Sequence, residues 1–418
     1  MYTIGYLLLF SAGAASLATA MPSQTRFNGQ QVVSLSATGS DKVSTGVWNQ
    51  VAGLDLDVWK NAADHLHIRV DAVERKALGL LPGMQVKTIV DDIQRLVDAK
   101  AYAPNTPSSQ KSDWFSEYRQ LEDIYNWLYQ MARDHADIVS EPISIGETIE
   151  GRQILQLRVT APGDASKRKR IWMQSLIHAR EWISGSTLQY VFNSLVSGYN
   201  KGEQRIKNLL EKVVFNREYS VNGTVYGVDL NRNWPDHWAL KSSSKNPKYA
   251  IFHGPAAASS REVQALMAAY IKEPNVVGAI DLHAYSQLIL YPYGWTNATS
   301  PDDAAYKRMG QQIADNIYKQ SGKTYTSQRI SDMYLASGCV SDWWYGPAVE
   351  AEIKAGIPGP RPYAFGIELR PAETEKQGFI VGPEEIRPTG EEIYSALVHF
   401  SEEAEANSLP SGLISPDS

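Results

Sequence analysis

Apolar positions follow two rhythms along most of this chain. Leu121, Ile124, Tyr125, Leu128 and Met131 recur at three- and four-residue steps, the period of a helix with one buried face. The runs ILQLRV (154–159), IWMQSLI (171–177), VVGAIDL (276–282) and YAFGIEL (363–369) are nearly continuous in apolar residues and read as strands buried on both faces. Between them, Thr187–Val196, Arg261–Lys272 and Ala304–Lys319 carry the helical period, and Ile393, Ala396, Leu397 and Phe400 give a last helix its stripe. Ser259 with Glu262, and Thr389 with Glu392, have capping-box spacing and predict two helix starts. Together these predict an α/β fold: a mixed, mostly parallel central sheet covered by helices on both faces.

A smaller unit precedes it. QQVVSLSA, LDLDVW and HLHIRVDA are short strand candidates, AVERKALGLL is helix-like, and QVKTIVDDIQRLV is a strand leading into a helix. This predicts a small α+β domain, a four-stranded sheet with two helices, within residues 21–100. His65 and His67 share one strand face by alternation. With no third ligand near, they read as a solvent-facing pair. Residues 99–112, AKAYAPNTPSSQKS, are rich in Pro, Ser, Asn and Lys and form a linker open to a trypsin-like protease at Lys100 or Lys111. The expected order is 1–20 leader, 21–100 small domain, 101–112 linker, 113–405 main domain and 406–418 tail.

Composition narrows the compartment and partners. The N-terminal stretch YLLLFSAGAASLATA ends in Ala18-Thr19-Ala20, the small-x-small pattern of a secretory signal peptide. No later run is long enough to span a membrane. Asn222-Gly-Thr and Asn297-Ala-Thr are glycan acceptor tripeptides, consistent with secretion. A formal charge of −6 provides no basic field for nucleic acid. The run KRKR (Lys167–Arg170) lies between a turn-like segment and a strand and reads as a solvated loop. The one cysteine, Cys339, allows no intrachain disulfide and reads as a buried small hydrophobe. A monomer is expected.

Candidate chemistry collects where strands end, the place where such folds build their sites. In SLIHAREWISG, His178 and Glu181 stand three apart, close enough for an imidazole and a carboxylate to hold one ion. Alone, that spacing is equally a surface turn. GAIDLHAYSQLILYPYGW places His283 at another strand end, and His, Glu and His is an established catalytic zinc set. GVDLNRNW adds Asp229, able to orient a ligand imidazole, and Arg232, a two-pronged donor for a carboxylate. GIELRP sets Glu368 on a third strand end, placed to act on a water at the metal. WPDHW (Trp234–Trp238) reads as core packing rather than an aromatic ligand platform.

The motifs HAREW, GVDLNRNW, DLHAYSQLILYPYG, MYLASG and FGIELRP, in this order, resemble the zinc carboxypeptidases of the A/B type, over nearly everything after the leader. The resemblance implies a secreted zymogen: residues 21–100 are a propeptide domain covering the cleft until an activating protease cuts the linker. It implies one Zn2+ held by His178, Glu181 and His283, and Glu368 as the base that activates the water and passes its proton to the leaving amine. Asn231 and Arg232 become the clamp on the substrate's terminal carboxylate, Tyr334 the tyrosine that closes over it, Arg180 a secondary substrate-binding arginine, and Asp229 the partner of the first zinc histidine. The implied reaction releases single residues from the C-termini of peptides or proteins.

Two positions depart from the family pattern. Ser341, at the position that reads the substrate's last side chain, is neither apolar nor acidic. With Gly366 leaving room for bulk, it predicts large apolar or uncharged ends over Lys and Arg, while Arg329 approaching from the side would favour Asp or Glu. Between Leu209 and Gly227 the chain is shorter than its relatives: the apolar run stops at VVF and passes straight into NREY. The stretch lost between Phe215 and Asn216 carries the family's oxyanion arginine, and Arg217 aligns a few residues beyond it. An active enzyme whose sequence lacks an exon, a zinc- and peptide-binding pseudoenzyme, and an interaction domain without functional metal all remain open on these residues. The sheet is expected to lose most of one strand here.

Overall fold

The structure, a computed structural model, describes residues 27–38, 51, 56–61, 65–100, 113–219, 227–247, 249–355, 361–373, 375, 378–407 and 409. The leader, the 101–112 linker, the tail beyond 409 and Asn222 lie outside the described residues.

The front unit comprises β1 (Gln31–Ala37), β2 (Asp57–Asn61), β3 (His65–Val70), α1 (Ala72–Gly79), β4 (Met84–Val90) and α2 (Ile93–Lys100). Its four antiparallel strands run in the order β2-β3-β1-β4. Asp71 starts α1 with a reciprocal cap, accepting from the Val73 and Glu74 amides at 2.8 Å while Glu74 accepts from the Asp71 amide at 2.7 Å. Val33, Leu35, Leu66, Ile68 and Leu78 close the core on one face. The opposite face of β3 is largely covered rather than solvent-facing, which corrects the reading of His65 and His67. His67 is buried and hydrogen-bonded through Nδ1 to the Tyr285 hydroxyl at 2.6 Å, and His65 Nε2 lies 2.7 Å from Glu373. Alternation identified their shared face; it could not show that the large domain packs against it.

The large domain is built from α3 (Leu121–Asp134), β5 (Ile143–Glu147), β6 (Gln153–Val159), β7 (Lys169–Ser175), α4 (Trp182–Asn200), α5 (Gln204–Lys212), β8 (Val213–Tyr219), α6 (Arg261–Ile271), β9 (Val276–Ser286), β10 (Leu288–Tyr291), α7 (Asp303–Ser321), β11 (Thr326–Arg329), α8 (Ile330–Met333), α9 (Val340–Ala355), β12 (Tyr363–Ala372) and α10 (Ile386–Ala406). Its eight strands run β11-β10-β12-β9-β7-β8-β6-β5, parallel from β12 through β9 and β7 to β8, antiparallel at β10–β12 on one side and through β6 and β5 on the other. Ile171 and Trp172, successive on β7, show that both faces are covered. Trp172 meets Tyr270 of α6 edge-on at 5.2 Å, while Ile171 shares its side with Phe400 of α10. Between them lies Gly278, where a Cβ would sit 2.6 Å from the Phe400 ring, so only glycine fits that crossing. Trp234 is fully buried against Trp343, as core packing requires.

Three local expectations change. The cap of α6 is Ser260, which accepts from the Val263 amide at 3.1 Å, because Ser259 is taken up by the Asn233 side chain at 3.0 Å. Thr389 and Glu392 lie inside α10, not at its start. There the Glu392 carboxylate, fully buried, pairs with Arg370 at 3.0 and 2.6 Å and accepts from Tyr325 at 2.8 Å. Most relevant to the site, β8 is not truncated. NREY carries it on to Tyr219, in register with Lys169–Ser175 of β7 on one side and with β6 on the other. Backbone pairing needs no particular side chain, so polar residues complete a ladder that the apolar run began.

Candidate active site

His178 stands three residues past β7, reached through Leu176 in the left-handed conformation at φ 62°. Glu181 occupies the residue just before α4 but makes no capping bond; its carboxylate turns to the imidazoles instead. His283 comes from the C-terminal half of β9, opposite Glu368 of β12 in the strand register. Oε1 of Glu181 lies 2.8 Å from Nδ1 of His178, and Oε2 lies 3.2 Å from Nδ1 of His283. The two Nδ1 atoms are 3.2 Å apart. One donor atom from each of the three residues falls within 4.8 Å of the others, a cluster suited to a metal ion.

The surroundings fit a cation. Nε2 of His178 is 3.2 Å from Asp229, and Nε2 of His283 is 2.7 Å from Asp281. Burial pulls the His178 ring down, yet Glu181 and Asp229 outweigh it and raise the imidazole to about 9. His283 is raised for the same reason, burial opposed by Asp281 and Glu181. Glu181 is held below the usual carboxylate range, since the two imidazoles overcome its burial. Three carboxylates thus face two imidazoles, and a divalent ion among the inward nitrogens would take the place of their protons.

The VDLNRNW segment builds the rest. Asp229 folds the short turn Leu230–Arg232 by accepting from the Asn231 amide at 3.0 Å. Asn231 Oδ1 accepts from the Val340 amide at 2.9 Å, which fixes its NH2 toward the site. Arg232 is 6% exposed, and all its hydrogen-bond partners are uncharged: Asn231 O at 2.7 Å, Tyr334 Oη at 3.0 Å, Ser242 O at 3.3 Å and the Cys339 sulfur at 3.8 Å. No described carboxylate comes within ion-pair reach of it. Cys339 is buried with Leu290, Ile330 and Ala336, and burial pushes its thiol up to about 12. A Cβ on Gly366 would lie 3.8 Å from Ser341 Oγ, 3.9 Å from His283 and 4.0 Å from Leu290, so Gly366 and Ser341 line one space beside the metal cluster.

Arg180 and Arg329 stand differently from expectation. Arg180 reaches Asp57 of the front unit at 3.3 Å and lies over the Phe379 ring at 4.3 Å. Arg329 is taken up by Asp332 at 2.5 and 3.1 Å and by Asn297 O at 2.8 Å. Its charge is therefore spent locally, which removes the basis for an acidic preference. Asp281 was missed from the sequence, although an acid inside the apolar run GAIDL was the available signal. Asp57 gave no signal, because its partner lies 123 residues away.

Fold and site define a metalloenzyme of the α/β class with helices on both sheet faces. The zinc carboxypeptidase family profile matches residues 124–222 and 215–396. Human carboxypeptidase A5 is 30% identical over 410 residues, covering 90% of each chain. Zinc carboxypeptidase A 1 of Anopheles gambiae is 31% identical over 341 residues, 76% of this chain and 75% of that one. The crystal structure of thrombin activatable fibrinolysis inhibitor matches the fold with a TM-score of 0.75 at 24% identity, covering 91% of this chain and all of that one. The chain belongs to the zinc carboxypeptidase family, and its class is that of a metallocarboxypeptidase.

Proposed function

We propose that this protein is a secreted zinc exopeptidase, made as a zymogen, that releases single residues from peptide C-termini. The observation that carries the reading is Arg232, a buried guanidinium with only neutral partners, beside a His–Glu–His cluster. No described carboxylate pairs with Arg232 directly, Asp229 acting on it only through space, and a substrate's terminal carboxylate would supply a direct two-pronged partner. His178, Glu181 and His283 would hold zinc, which when bound supplies a Lewis acid for the scissile carbonyl. Arg232 and the Asn231 amide grip the carboxylate, and Tyr334 leaves Arg232 to close over it. Glu368, across from His283, accepts the proton of the attacking water and passes it to the leaving amine.

Residues 21–100 act as the propeptide. Asp57 engages the substrate-binding Arg180, and Trp59 packs against Phe379 at 5.2 Å, so the front unit covers part of the entrance. Ser341 and Gly366 bring no charge to the pocket they line, which favours large apolar or uncharged ends over Lys and Arg. A zinc-loaded chain cut in the 99–112 linker should release Phe faster than Arg from matched peptides; the reverse order refutes the specificity.

A pseudoenzyme reading is favoured by one observation: the family profile matches in two segments that overlap at 215–222, as expected of a chain lacking an internal stretch. The lost oxyanion donor would cost about 10²–10³ in turnover. We attribute the gap to an omitted exon. Sequencing the transcript across the codons for Phe215 and Asn216 tests this, and a contiguous message together with robust hydrolysis by the 418-residue chain refutes it.

A further inference from the structure

We infer that Asp281 is a positioning residue for the metal site, a buried carboxylate that fixes the tautomer of His283. It is fully buried on β9, in register with Gln174 of β7 and Gly366 of β12. Its Oδ2 lies 2.7 Å from the His283 Nε2, an ion-pair contact, and no other described group donates to either oxygen. A carboxylate placed there for packing alone would be a heavy cost. Its one contact gives it a task.

That task is sharpened by Asn231. The Asn231 NH2 lies 3.4 Å from the same His283 Nε2, and its orientation is set by the Val340 amide. An NH2 can only donate. Left alone with His283, it would favour a ring whose Nε2 accepts and whose Nδ1 carries the hydrogen, the tautomer unable to bind metal. The Asp281 carboxylate, with Oδ2 at 2.7 Å, is the stronger neighbour and can only accept, so it would hold the hydrogen on Nε2 and leave the Nδ1 lone pair facing His178 and Glu181. Asn231 is thereby released for substrate. With Asp229 on His178, each metal histidine has its own buried carboxylate, a pairing that raises ligand basicity.

The inference rests on the zinc reading, and the test separates the two. Zinc dissociation constants are measured by chelator competition on the full chain, on D281A and on D281N, with thermal unfolding of each metal-free form. D281A should bind zinc about 10–100-fold more weakly. D281N, whose amide oxygen can still accept from Nε2, should fall between D281A and the parent. Both metal-free variants should lose some stability, because Asp281 also pairs with the buried His283 imidazole, so the unfolding curves serve to show that each variant is folded. Zinc affinity within about twofold of the parent in folded D281A overturns the inference, as does a D281N affinity no better than that of D281A, which marks a residue that acts only through its charge or packing. A parent chain that binds no zinc refutes the zinc reading and takes this inference with it.

Discussion

Replacing Arg232 with Met tests recognition. The guanidinium is 6% exposed and gives hydrogen bonds to two backbone carbonyls and the Tyr334 hydroxyl. Met keeps most of the stem volume and removes the charge. Each carbonyl left without a donor costs about 1–3 kcal/mol, and the attraction between Asp229 and the guanidinium is lost as well, so metal-free R232M should be less stable than the parent, and its folding is checked before binding is read. A hydrogen bond to a charged group contributes about 1.5–3 kcal/mol, so a two-pronged grip on a carboxylate is worth about 3–6 kcal/mol, or about 10²- to 10⁴-fold in Kd. The assay is calorimetric binding of one peptide, as the free acid and as the C-terminal amide, to zinc-loaded parent and R232M protein after linker cleavage. The acid should lose about 10²-fold or more in R232M while the amide changes little. Equal losses for acid and amide, or less than about tenfold for the acid, would falsify the clamp.

Other variants test the remaining parts. H283A leaves two metal ligands and should lose most bound zinc by metal analysis; unchanged zinc refutes the ligand set. Asp57 is held below the usual carboxylate range, burial being outweighed by Arg180 and Arg69. Its contribution to docking is therefore present above that range and lost as pH falls through the lowered value. D57N should let the front unit separate from the linker-cut protein on size exclusion near neutral pH, and retention equal to the parent sinks the latch. Asp342 is pushed up to about 8 by burial and by Asp236, against the Gly294 and Trp295 amides. Folding thus favours its protonated form, and stability from this group is lost as pH rises from the ordinary carboxylate range to about 8. D342N should gain on the parent across that window and no further; parallel stability curves refute it.

Periodicity made the sheet and helices legible because burial on one or both faces writes directly into the spacing of apolar residues. The cluster of His178, Glu181 and His283 was legible because HAREW and DLHAYS hold its members in short segments at strand ends. What stayed hidden depends on contacts between distant segments. His67 meets Tyr285 across 218 residues, and nothing in HLHIRV announces a partner. Glu392 has the spacing of a cap yet serves Arg370, since a capping box and a buried ion pair use the same residue types. Asp281 was visible as an acid in an apolar run, but only the 2.7 Å contact to His283 gives it meaning.

Strand β8 shows why fold and chemistry respond differently to the missing stretch. A sheet is held by main-chain groups, so Asn216 to Tyr219 can close the ladder between β6 and β7 whatever their side chains. An oxyanion donor must instead be one particular group at one position near the metal. Arg217 pairs with Met173, two residues before β7 ends, so its backbone sits about 7 Å inside the sheet from the rim that carries His178 and Glu181. The resemblance would instead place the oxyanion arginine on the chain that follows the strand. On the proposed reading, a join at Phe215–Asn216 would spare the scaffold and the His178–Glu181–His283 cluster and would remove the one function that register cannot restore.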